Sequence, residues 1–122
     1  MTANDGDLTL FVARGYWGRL RGLHDYPVLA LNQGLCLAPC SAIHTFGLLY
    51  AIDVLFLDKD RYCLKRLENV RPNRIAWCRG ASLVVELPAG YCARHPRAVA
   101  QVQQALALHN LPVSGPDRAS GS

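Results

Sequence analysis

The stretch Ile52–Leu57, IDVLFL, constrains the fold more than any other. In an extended chain its side chains divide into two sets, Ile52, Val54, Phe56 and Asp53, Leu55, Leu57. Both sets are largely apolar, so the segment reads as a central strand covered on both faces. A sheet with such a strand needs material above and below it. At 122 residues the chain is long enough to supply that cover as one domain, without metals or disulfides. We expect a single domain over residues 1–112 and a disordered tail over 113–122.

Other segments arrange themselves around this strand. Leu8–Ala13, LTLFVA, reads as a first strand. Trp17, Leu20 and Leu23 recur at helical spacing and suggest a short N-terminal helix, although Gly15, Gly18 and Gly22 weaken it. Gly34–Pro39 reads as a short strand. Asp58-Lys59-Asp60-Arg61 closes a hairpin, with acidic side chains suited to bonding backbone amides, and Tyr62–Val70 returns. Pro72-Asn73 breaks the chain before a strand at Arg74–Cys78. Arg79-Gly80 turns it into Ser82–Leu87, which ends at Pro88-Ala89-Gly90. Beyond that, Val99, Val102 and Leu106 form one helical stripe. Pro96 is expected at the first helical position, and Asn110 and Pro112 stop the run. Strands in the middle and helices near the two ends imply a mainly β (α+β) fold with an antiparallel sheet.

Composition excludes some roles. No apolar run approaches the roughly 20 residues of a membrane span. The start, MTANDGDLTLF, lacks the basic and apolar regions of a secretory leader, so the expected location is cytoplasmic. The five cysteines, Cys36, Cys40, Cys63, Cys78 and Cys92, are odd in number and irregular in spacing. That pattern suits free, mostly buried thiols rather than a disulfide framework. The net charge of +4 comes from eleven Arg and two Lys against nine acids. The arginines are scattered, with a loose group at Arg71, Arg74 and Arg79, so binding of nucleic acid is the weakest of the readings.

The polar residues in apolar surroundings are the candidate site. Cys40, His44 and Asp53 are the residue types of a thiol catalyst, provided that the base reaches the sulfur. Cys36, Cys40 and His44 recur every four residues, yet Gly34 and Pro39 oppose a helix there. In an extended chain their ends lie about 26 Å apart, so they do not share one metal. With no C-x-x-C pair, no metal site and no cofactor are expected. Asp53 and Glu86 each interrupt an apolar strand, and a buried carboxylate needs a partner, for which Arg19, Arg21 and His44 are available.

The order of motifs carries a resemblance. Arg21-Gly22-Leu23, Gly34-Leu35, Ile43-His44-Thr45-Phe46, Ala51–Asp58 (AIDVLFLD), Pro72 and Val84–Gly90 (VVELPAG) follow in sequence. Together they resemble the bacterial and archaeal family of domain of unknown function 192, over roughly residues 8 to 93. The resemblance implies a compact β-sandwich or jelly-roll-like barrel with short helices, and no established activity. The chain departs from the family pattern at Leu48-Leu49, where a methionine is usual, and at Ala51, where a proline is usual. HPRAVAQVQQALALHN stands where the family commonly has a G-I-x-x-G-D segment and a last strand.

The first functional reading is therefore a non-enzymatic binding or accessory module, monomeric, with a small polar cleft for a ligand or partner protein. That cleft gathers Arg21, His44, Thr45, Asp53 and Glu86, with Cys40 at its rim. The alternative is a small hydrolase-like enzyme that uses Cys40 or His44 with Asp53 or Glu86.

Overall fold

The computed structural model describes residues 8–13 and 29–109. Its strands are β1 (Thr9–Ala13), β2 (Gln33–Leu37), β3 (Ala42–His44), β4 (Ile52–Leu57), β5 (Cys63–Val70), β6 (Ile75–Trp77) and β7 (Leu83–Pro88). Two helices follow, α1 (Tyr91–Arg94) and α2 (Ala98–Leu106). Five strands form one sheet in the order β1-β2-β7-β4-β5, and β3 pairs with β6 in a second sheet. The mainly β expectation holds. The larger sheet stays open, however, so the barrel form of the expectation gives way to two sheets. All its pairings are antiparallel except β1 with β2. Parallel neighbours need a crossover of a dozen or more residues, a length that positions 14–32 supply. The expected N-terminal helix and the tail over 113–122 lie outside the described residues.

All six residues of β4 are buried, as their two-faced apolar character requires. The reason is its position between β7 and β5 in a sheet covered on both sides. Leu55 and Leu57 join Leu83, Val85 and Leu87 of β7 on one face, under Tyr91, Val102, Ala105 and Leu106 of the helices. Ile52, Val54 and Phe56 join Val84, Leu35 and Leu37 on the other, under Ile43 and Ala76 of the small sheet. The expected stripe of α2 thus packs on the sheet, with Val102 and Leu106 fully buried.

The helix starts later than expected. Arg97 is its N-cap residue, and Pro96 lies in the link that follows α1. The Ala98 amide donates to the His95 carbonyl (2.9 Å), which joins the two helical pieces around the proline. At the β4–β5 hairpin, Asp58 Oδ1 accepts from the amides of Asp60 (2.8 Å) and Tyr62 (2.9 Å), the expected acidic turn.

Gly34 is required by a close approach. A Cβ there would stand 2.8 Å from Cδ2 of both Leu10 and Leu87, and 3.2 Å from the Glu86 carbonyl oxygen. The two leucines meet over the glycine and seal the helix-covered face. Gly34→Ala is expected to destabilise the fold by about 1–3 kcal/mol through overpacking. A lowered midpoint in urea with unchanged slope is the measurement that checks it.

Candidate functional site

Strand pairing decides which polar residues can meet. Asp53 pairs with Leu87, and Val54 pairs with Glu86. Paired residues share a face, so Asp53 points to the helix-covered side and Glu86 to the side of the small sheet. The two carboxylates that the sequence suggests as a pair are on opposite sides of the sheet.

Among the described residues Asp53 has three partners in the backbone. Its Oδ1 accepts from the amides of Asn69 (2.9 Å) and Gly90 (3.2 Å), and its Oδ2 from the amide of Cys92 (2.9 Å). Asn69 belongs to an irregularity in the β4–β5 pairing, where the register shifts between Ile52/Val54, and it has a positive φ of 57°. Gly90, with φ 86°, is the N-cap of α1. One carboxylate therefore ties a strand irregularity to a helix start, while Arg19 and Arg21, two of the partners expected from the sequence, lie outside the described residues. Burial, and next the charge of Asp53, push the neighbouring Cys92 thiol up to about 12, so it stays protonated.

Thr45 is buried and also structural in its bonding. Its Oγ1 donates to the Arg71 carbonyl and accepts from the Arg74 amide, both at 2.8 Å. His44 is exposed on the small sheet, its ring stacked on Phe46 at 5.4 Å. The Cys40 thiol donates to the Ala42 carbonyl at 3.0 Å. Of the five cysteines only Cys36 and Cys92 are buried; Cys40, Cys63 and Cys78 are half-buried, fewer inside than expected. Arg21 lies outside the described residues. Among the described residues no three His, Cys, Asp or Glu side chains group as a metal-binding set.

Glu86 is different. It is 3% exposed, and among the described residues its Oε1 has no hydrogen-bond partner. It sits in a row across the sheet with Leu35 and Val54, apolar on both sides. Burial pushes its carboxyl up to about 8. At neutral pH it is therefore mostly a neutral acid, with an O–H to donate. Burial, and next the charge of Glu86, also raise the Tyr50 phenol. Tyr50 lines a partly open cavity of about 210 Å³ with Leu29, Ala51, Ile52, Pro88 and Ala89. Ile52 pairs with Pro88, one row along the same face from Val54 and Glu86. The sequence reading missed Tyr50. It stands in the bend before β4, where no strand alternation marks it.

The family model of DUF192, described as "Uncharacterized ACR", matches residues 1–102. The chain belongs to this family. No curated protein matches it. Two solved structures share the fold. One is a protein of unknown function from Novosphingobium aromaticivorans DSM 12444, at 20% identity and TM-score 0.65, covering 73% of this chain and 69% of that one. The other is described as a "putative transcription regulator" from Sinorhizobium meliloti 1021, at 24% identity and TM-score 0.65, covering 71% and 73%. Among the described residues no helix is long and apolar enough to cross a membrane.

Asp53→Asn places an amide donor opposite one of three backbone donors. It is expected to lose about 2–4 kcal/mol of stability, since a buried charged acceptor is replaced by a mismatched neutral one. Denaturation in urea measures it, and amide exchange should quicken first at Asn69, Gly90 and Cys92.

Proposed function

We propose that this DUF192 chain is a non-enzymatic binding module whose ligand is a small, mainly apolar molecule carrying one hydrogen-bond acceptor. The observation that supports this most is the orphaned Oε1 of Glu86, one row along the same sheet face from Ile52 and Pro88, which line a cavity with apolar walls. A buried polar atom without a partner costs about 1–3 kcal/mol, and a ligand that supplies the partner recovers it. The cavity is of the size that admits a small ring, for which roughly 150 Å³ suffices. Glu86 and the Tyr50 phenol are both held toward their protonated forms by burial, so both are suited to donate. The hydrolase-like alternative draws less support. Asp53 is engaged by three amides, and the Cys40 thiol by the Ala42 carbonyl.

A titration with cyclohexanone followed by amide NMR tests the proposal, with cyclohexane as the apolar control. Shifts at Tyr50, Ile52 and Ala89, about tenfold weaker for cyclohexane or in Glu86→Leu, are expected. Equal response to both probes, or none at these amides, sinks it.

The carboxyl also makes a pH prediction. The unfolded chain releases the Glu86 proton near 4.5 and the folded chain near 8, so the folded state holds the extra proton between these values. The stabilisation is full below the lower value and fades as pH rises through the upper one. Between about pH 5 and pH 8 the chain should lose on the order of 1.4 kcal/mol per pH unit from this group. Glu86→Gln should flatten that slope in urea melts across the range. An unchanged slope would mean that the carboxylate is paired in solution.

A further inference from the structure

The small sheet has an outer face that the binding site does not use. Ile43 and Ala76 point inward and are buried. Their strand neighbours Ala42, His44, Ile75 and Trp77 alternate to the other side, and all four are exposed. Phe46 extends this row, its ring nearly parallel to that of His44 (27°). Trp77 is 63% exposed, Ile75 59% and Phe46 45%. Large rings are normally among the first groups that a fold buries.

The segments that carry these rings hold charge of one sign. Residues 39–52 and 71–82, which contain both strands and their turns, hold Arg71, Arg74 and Arg79 and no Asp or Glu. All three arginines are exposed. Lys65 of β5 braces the strand from the inner side, its Nζ donating to the Trp77 carbonyl at 3.0 Å and lying 5.8 Å from the centre of the buried Phe56 ring. Two copies of this face would bring like charges together, which disfavours a self-association that would cover it. A polyanion is favoured, and arginine forks match phosphate oxygens.

We propose that this face binds single-stranded nucleic acid. Bases stack on Trp77, Phe46 and His44, while Arg71, Arg74 and Arg79 neutralise the phosphates. Exposed rings on a sheet with flanking cations are the two parts that such binding needs, and neither depends on base sequence. From the sequence alone nucleic acid has the lowest weight, because the arginines are scattered along the chain. The exposed rings share one face only through the β3–β6 pairing, which joins positions more than thirty residues apart.

Fluorescence anisotropy with a short labelled oligothymidylate at low salt tests this. The native chain should bind, with log affinity falling linearly as log salt rises. Trp77→Ala should weaken binding about tenfold or more, and Trp77→Phe should restore part of it. Arg74→Ala with Arg79→Ala should reduce the salt slope. Absence of binding at low salt overturns the proposal. So does equal affinity of Trp77→Ala and the native chain, or polyglutamate competing as well as the oligonucleotide, since either means charge alone. Sedimentation showing a dimer that buries Trp77 also overturns it, by assigning the face to a second copy. Every substituted residue here is exposed, so circular dichroism should read the same for all variants.

Discussion

The carboxylate of Asp53 holds together parts of the chain that otherwise have little reason to stay in place. It accepts from amides at Asn69, Gly90 and Cys92, at the β5 irregularity and the start of α1. A buried charge is tolerated only when its acceptor capacity is filled, and here the backbone fills it. The consequence reaches further than the bonds. Pro88 and Ala89 precede Gly90, and Ala51 and Ile52 precede Asp53, and these four line the cavity. The anchor on one side of the sheet thus sets the walls of the cavity on the other.

This arrangement gives the two buried acids opposite tasks, although they lie on adjacent strands. Asp53 is saturated and holds structure. Glu86 is unsaturated and mostly protonated, with Leu35 and Val54 across from it. A fold under selection for stability alone is served by an apolar residue at such a position. An orphaned acid on the sheet face that also carries an open cavity is what directs attention to ligand binding.

The sheet is covered unequally. The helices seal one face with Val102 and Leu106. The small sheet covers the other and has a second surface of its own, rich in rings and arginine. The cavity, lined by Leu29, Tyr50, Ala51, Ile52, Pro88 and Ala89, and the exposed face of β3 and β6 share no residue and are separate features of the fold.

Much of the architecture was legible because local patterns carry it. IDVLFL announced a strand buried on both faces, Asp58 its turn, and Val102 and Leu106 the packed side of a helix. The order of motifs around them identified the family. The importance of Asp53 and Glu86 was legible too, since each is a charge in an apolar strand. Their division of labour was not. Which face a strand residue occupies is local, but which partners wait on that face depends on register with β7 and β5, set by contacts distant in sequence. Tyr50 at the cavity and Trp77 on the same face as His44 have the same origin. By itself the sequence determined the elements, their burial and the residues with chemistry to offer, because these follow from periodicity and transfer energies. The tertiary structure alone decided which of them meet, because strand pairing brings together residues that no linear spacing connects.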